Sequence, residues 1–128
     1  MLRQQLTERQ IADLDAVLEV QPQLRLEAVH QDCYTIRGAL VVRDEEGAEL
    51  DSFAIELRVP KAFPEVSPTV LEVGGRIPRI LDRHVYASNG TCCVQIPVAY
   101  HLNEPGRLVD FVAGAMRSYF IAQLHFEE

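Results

Sequence analysis

The amino-acid sequence predicts an α+β fold, with one helix at each end of an antiparallel meander of three to four strands. Apolar residues recur at helical spacing near both ends of the chain, whereas in its middle part they alternate with polar residues as in half-buried strands. Turn residues and prolines separate the alternating stretches. The 128 residues, 48% of them hydrophobic, suit a single domain spanning 1–128 with a core of its own.

The first helix is predicted to begin after Thr7. A threonine followed three residues later by Gln10 is the pattern of a capping box, in which each side chain bonds the backbone of the other residue. Apolar residues then recur at helical spacing, at Ile11, Leu14, Val17 and Leu18. The helix is expected to end before Pro22, because proline lacks the N–H that a helix interior needs.

A period of two predicts the first three strands. Alternation covers residues 24–28, 34–42 and 53–59, and in each stretch the apolar residues share one face. The sequence Asp44-Glu45-Glu46-Gly47 has the composition of a tight turn. The second and third strands are therefore expected to form an antiparallel hairpin with one buried face.

Proline marks the end of this hairpin and the approach to the next strand. Three prolines within residues 60–68 predict an irregular, extended connection, and residues 69–73 are then expected to form a short fourth strand. The last helix is predicted to begin at Asn103-Glu104-Pro105 and to run to about Leu124. Its broad apolar face consists of Leu108, Phe111, Val112, Ala115, Met116, Tyr119, Phe120 and Ala122.

A pair of adjacent cysteines lies between the fourth strand and the last helix. His84 precedes Cys93 by nine residues, and the turn-forming Ser88-Asn89-Gly90 separates them. Such a turn places a thiol on a surface loop rather than in a core. Cysteine is by default a small buried apolar residue, so the adjacency of Cys92 and Cys93 does not by itself indicate chemistry.

Residues 85–94, Val-Tyr-Ala-Ser-Asn-Gly-Thr-Cys-Cys-Val, resemble the active-site loop of ubiquitin-conjugating enzymes. In that family a His-Pro-Asn-Val-Tyr sequence leads through Gly-Thr-Val-Cys-Leu to the cysteine that forms a thioester. Phe63-Pro64 and Ser67-Pro68 are similar to the family's approach to its third strand. The resemblance implies a ubiquitin-conjugating-enzyme-like fold, with Cys93 as the nucleophile and Cys92 in the aliphatic position before it.

The chain also departs from the family pattern. Asp82-Arg83-His84 stands where the family has His-Pro-Asn, and Asn89 is inserted before the glycine. A single helix follows the cysteines, where full-length members have two more. This truncation resembles the compact bacterial branch, and within it the stand-alone conjugating protein of cyclic-oligonucleotide anti-phage operons.

The function implied by the resemblance is that of an acyltransferase. Cys93 would form a thioester with the C-terminal tail of a ubiquitin-like modifier or of a cGAS-like nucleotidyltransferase, with or without an activating enzyme, and pass it to an acceptor. Thioester exchange also needs a donor aimed at the developing oxyanion. His84 and Asn89 are the candidates, and His84 is preferred because an imidazole can donate a hydrogen bond or accept a proton near pH 7.

Two other functions remain open. The first is a catalytically inactive module that binds a protein tail, which the missing His-Pro-Asn favours and the retained thiol disfavours. The second is a metal site built from His84, Cys92, Cys93 and His101. Adjacent cysteines are poor joint ligands of one tetrahedral ion, so we expect no metal and no cofactor.

In an extended loop one of the two cysteines faces inward, and we expect it to be Cys92. Cys33 is expected to pack within a strand.

Charge and composition limit the partners. The formal net charge is −7 and Lys61 is the single lysine, so no basic stripe is available to neutralise nucleic-acid phosphates. No apolar run reaches the roughly 18 residues of a membrane span, and the first residues lack the apolar core of a secretory signal. Three cysteines fit reduced thiols. We therefore expect a cytoplasmic protein that binds neither nucleic acid nor membrane.

Overall fold

A computed structural model describes residues 1–86, 88–92, 94 and 107–127. The elements in chain order are a 3₁₀ turn (Leu2–Gln5), helix α1 (Glu8–Val20), strands β1 (Leu24–Val29), β2 (Cys33–Arg43), β3 (Glu49–Pro60) and β4 (Thr69–Glu72), a second 3₁₀ turn (Leu81–Arg83) and helix α2. Helix α2 consists of three consecutive segments: Leu108–Asp110, the π-helical Phe111–Met116, and Arg117–Phe126. The α+β class with a helix near each end is confirmed. None of the described helices is long and apolar enough to cross a membrane.

Helix α1 begins as the sequence predicts. The Gln10 N–H donates to the Thr7 hydroxyl at 3.1 Å, and the Thr7 N–H donates to the Gln10 side chain at 2.9 Å. The capping box is therefore complete. After the helix ends at Val20, the Gln21 amide donates to the Val41 carbonyl and accepts from the Val41 N–H, both at 2.9 Å. This pairing satisfies β2 backbone groups beyond the point where β1 begins.

The four strands form one antiparallel sheet in the order β1-β2-β3-β4. The hairpin between β2 and β3 closes at the predicted turn, where the Asp44 carboxylate accepts the N–H groups of Glu46 and Ala48 at 2.9 Å. Such bonds from an aspartate to its own turn are the reason the residue favours this position. The meander with one buried face is confirmed as well.

Gly38 allows β1 to start close to β2. It pairs with Leu24 and has a φ of +143°, which side-chain-bearing residues rarely adopt. A Cβ atom here would lie 2.2 Å from the carbonyl oxygen of Gln23. The glycine is therefore required by both the backbone angle and the close approach of the preceding strand.

The core lies between the inner face of the sheet and the two helices. Phe53 of β3 and Phe120 of α2 pack with ring centroids 4.9 Å apart. The largest fully buried side chains are Tyr34, Phe53, Phe111, Phe120, Leu14, Ile36, Leu40, Ile55, Leu57, Leu108, Met116 and Gln123. Thr35 and Val41, on the opposite face of β2, are also buried.

Helix α2 differs in detail from the prediction. Its predicted start at Asn103-Glu104-Pro105 lies outside the described residues, and the described helix begins at Leu108 after an extended Arg107. The inward placement of Ala122 is wrong, since Ala122 is exposed whereas Gln123 is 1% exposed. Gln123 lies three residues after Phe120 and four after Tyr119, so it shares their buried face of the helix.

Candidate active site

Two short segments, residues 85–86 and 88–92, form a small hairpin beside β4. Val85 and Cys92 form an antiparallel bridge. The Tyr86 N–H donates to the Thr91 carbonyl at 2.9 Å, and the Gly90 N–H donates to the Tyr86 carbonyl at 2.7 Å. These bonds bring the segment that carries His84 and the segment that carries the cysteines side by side.

The hairpin continues the sheet beyond β4. Thr91 forms an antiparallel bridge with Leu71, and the Cys92 N–H donates to the Val70 carbonyl at 2.8 Å. One side of the 91–92 segment therefore bonds to β4, and the other side bonds to Val85 and Tyr86. A segment bonded on both sides is held at a defined position relative to the core.

Asn89 and Gly90 shape the turn of the hairpin. The Asn89 side-chain oxygen accepts the Thr91 N–H at 2.9 Å. Gly90 has a φ of +74°, and a Cβ atom there would lie 2.9 Å from the guanidinium of Arg79. The predicted turn is thus confirmed. Asn89 has a structural role in it, which uses its oxygen and leaves the amide N–H groups as possible donors.

His84 has an unusual backbone conformation. With φ 57° and ψ 46° it is the one non-glycine residue of positive φ in the described part of the chain. It caps the 3₁₀ turn, and its N–H donates to the Leu81 carbonyl at 2.9 Å. The residue is exposed, and its imidazole makes no hydrogen bond to a described residue.

The cysteines occupy different environments. Cys92 is 5% exposed and belongs to the hydrophobic core, which confirms that it faces inward. Cys33 is the first residue of β2 and is half-buried. Burial, together with the nearby Asp32, raises the pKa of the Cys33 thiol, so this thiol is a poor nucleophile at neutral pH. Cys93, the predicted nucleophile, lies outside the described residues.

Two of the four residues considered for a metal site, Cys93 and His101, also lie outside the described residues. The other two differ in burial, since Cys92 faces the core and His84 is exposed. Within the described residues, no three histidine, cysteine or acidic side chains form a group that could hold a metal ion.

A polar contact to α2 holds the backbone immediately before His84. The Arg83 Nε donates to the Gln123 Oε1 at 2.7 Å, and the Gln123 Nε2 donates to the Arg83 carbonyl at 3.0 Å. The Tyr119 hydroxyl also donates to that carbonyl at 3.0 Å. The Arg83 guanidinium lies 4.8 Å from the centroid of the Phe126 ring. We call Arg83, Tyr119, Gln123 and Phe126 the helix clamp.

The sequence did not reveal the helix clamp. Gln123 lies among apolar residues near the end of α2, and no local pattern distinguishes a buried glutamine from an exposed one. A signal was nevertheless present. Gln123 lies four residues after Tyr119 and three after Phe120, a spacing that places all three side chains on one side of a helix. A glutamine on such an apolar side would be buried, and a buried amide needs hydrogen-bond partners from another element.

Replacement of Gln123 by leucine is expected to lower the free energy of unfolding by about 2 kcal/mol. Leucine has nearly the same side-chain volume as glutamine, but it can make neither of the two hydrogen bonds to Arg83. The Arg83 Nε would lose its acceptor, and the Arg83 carbonyl would lose one of its donors. Denaturant unfolding measures the loss. Hydrogen exchange should also show faster exchange at the Val85 and Tyr86 amides, which the clamp holds indirectly. Exposed Ser118→Ala is the matched control on the same helix and should leave both quantities unchanged.

Comparison of the chain with protein-family models, with curated proteins and with solved structures gave no match.

Proposed function

We propose that the protein is a cysteine-dependent acyltransferase of the ubiquitin-conjugating type, with Cys93 as the nucleophile. It would accept a protein C-terminus as a thioester and pass it to an acceptor. On the resemblance of residues 85–94, the donor is the tail of a ubiquitin-like modifier or of a cGAS-like nucleotidyltransferase in bacterial anti-phage defence. The element order of helix, four-stranded meander, loop and helix supports this proposal.

The observation that carries the proposal is the antiparallel bridge between Val85 and Cys92. In an antiparallel pair, the residue before one partner stands opposite the residue after the other. The left-handed backbone of His84 departs from this extended ladder, but positions 84 and 93 are each one residue from the bridged pair. A histidine and a cysteine at those positions would form a nucleophile with a neighbouring proton acceptor or hydrogen-bond donor.

Burial supports Cys93 over Cys92 as the reacting thiol. Cys92 is in the core, and Val94 is half-buried against the same core. The Val94 N–H donates to the Cys92 carbonyl at 3.0 Å, a bond that closes a three-residue turn, and such turns lie at the surface. A residue between two inward-facing neighbours is therefore expected to face outward. Arg79, whose guanidinium lies against Gly90, adds a positive charge beside this loop, and such a charge favours a thiolate.

A synthetic peptide with a C-terminal thioester tests the proposal without an activating enzyme. The Cys93 thiolate would attack the thioester carbonyl, forming a new bond from sulfur to carbon, and the small thiolate of the peptide would leave. Mass spectrometry of the protein should then show one added acyl group, which excess dithiothreitol removes. A protein that gains no acyl group at a thiol would contradict the proposed activity.

Replacement of His84 should slow this transfer about a hundredfold if the imidazole stabilises the oxyanion, because loss of one such donor typically has that effect. We expect His84→Asn to recover part of the rate, since asparagine supplies an amide donor and tolerates a positive φ. Asn89→Ala should slow transfer only mildly. Single-turnover rates of the parent protein and the three variants measure these effects.

The positive φ of His84 supplies a control for these rates. Alanine is strained in the left-handed region by roughly 1 kcal/mol, whereas glycine is not. His84→Gly and His84→Ala should therefore lose transfer equally but differ in thermal stability. If the transfer rates of the variants instead follow their thermal stabilities, and not the presence of the imidazole, His84 serves only to form the backbone turn. A large loss in Asn89→Ala at unchanged stability would make Asn89 the oxyanion donor.

A further inference from the structure

A cavity of about 150 Å³ lies between the first turns of α1 and the end of β3. Its apolar wall includes Val59 and Phe63, and its polar groups include Arg9, Asp13, Tyr34 and Lys61. None of its lining residues belongs to the hairpin of residues 85–86 and 88–92. The cavity is thus independent of the candidate active site.

Tyr34 is the unusual residue in this wall. It is 1% exposed, and its hydroxyl has no hydrogen-bond partner. A buried hydroxyl without a partner costs about 1–3 kcal/mol, which a phenylalanine of the same shape would avoid. Burial also raises the pKa of the Tyr34 hydroxyl, so the group keeps its proton at neutral pH and can donate it to an acceptor.

The charged groups of the cavity favour an anion as that acceptor. Neither Arg9 nor Lys61 forms an ion pair or a side-chain hydrogen bond with another described residue. Asp13 is the opposing carboxylate; burial raises its pKa, and the nearby Arg9 and Arg107 attract its charged form. Among the described lining residues, Arg9, Lys61 and a protonated hydroxyl therefore share the cavity with a single carboxylate, which leaves an excess of positive charge.

We propose that this cavity binds the carboxylate of a small organic acid, with Tyr34, Arg9 and Lys61 as its ligands. The Tyr34 hydroxyl donates to one carboxylate oxygen, and the two cations neutralise the charge at the rim. The short hydrocarbon part of the acid lies against Val59 and Phe63. A volume of about 150 Å³ corresponds to roughly five water-sized groups, which fits an acid of the size of propionate.

Titration of the purified protein with sodium propionate, followed by amide NMR at constant ionic strength, tests this site. Saturable shifts are expected at Thr7, Gln10 and Lys61, with an affinity in the millimolar range for so few heavy atoms. Tyr34→Phe should weaken binding about tenfold, the effect of one charge-assisted hydrogen bond. Arg9→Gln and Lys61→Gln should each weaken it several-fold. Exposed Arg25→Gln, outside the cavity, is the matched control and should bind like the parent protein.

Tyr34→Phe removes an unpartnered group, so without propionate its melting temperature should equal or exceed that of the parent protein. This result excludes misfolding as the cause of weaker binding. Three results would overturn the proposal. Propionate could show no saturable binding, Tyr34→Phe could bind propionate as tightly as the parent protein does, or the cavity could bind methylammonium in place of propionate. A glutamate-containing peptide that binds where propionate does not would also overturn it, in favour of a protein partner.

Discussion

Replacement of Cys93 by alanine is expected to abolish the dithiothreitol-sensitive acyl adduct entirely, because the sulfur that forms the thioester is gone. Cys92→Ala is expected to keep the adduct. Cys92 is 5% exposed and lies in the core, so its loss should instead lower the free energy of unfolding by about 1 kcal/mol. Intact-mass spectrometry after reaction with a peptide thioester, together with denaturant unfolding, measures both effects.

Cys33→Ala is the control for acylation at an unrelated thiol. Cys33 is half-buried at the start of β2, and its raised pKa leaves little thiolate at neutral pH, so the adduct should persist in this variant. If Cys92→Ala folds but forms no adduct, the nucleophile is Cys92 and not Cys93. If the parent protein forms no adduct but still binds a C-terminal tail, the inactive binding module that the missing His-Pro-Asn favours becomes the function.

The second large effect is expected at Gly38. Gly38→Ala should lower the free energy of unfolding by about 3 kcal/mol or more, because the new Cβ atom meets the Gln23 carbonyl at 2.2 Å in a backbone conformation of φ +143°. For a chain of this length the melting temperature should fall by roughly 10 °C. Thermal and denaturant unfolding give the two values.

Two other glycines separate the contributions of angle and contact. Gly47 has a φ of +89° and open space around its Cβ position, so Gly47→Ala tests the angle alone. Gly114 has neither constraint, and Gly114→Ala should be neutral or slightly stabilising. We expect a loss of about 1 kcal/mol at Gly47. Equal losses at Gly38 and Gly47 would mean that the start of β1 moves aside at little cost.

Much of the candidate site follows from local sequence. Ser88-Asn89-Gly90 predicted the turn, because an asparagine side chain and a glycine backbone stabilise turns through contacts within a few residues. The inward position of Cys92 follows from alternation in an extended segment. Local patterns predicted neither the positive φ of His84 nor the helix clamp, and the clamp joins Arg83 to Tyr119 and Gln123, more than 30 residues away.

The sequence by itself determined the elements whose causes are local: the capping box at Thr7, the turn at Asp44, and the period-two strands of an antiparallel meander. These depend on hydrogen bonds and side-chain periodicities within a few residues. Only the tertiary structure decided that Gln123 rather than Ala122 faces the core. It also decided that the hydroxyl of Tyr34 is buried without a partner. Both outcomes depend on which elements pack against each other, and that is set by contacts between residues far apart in the chain.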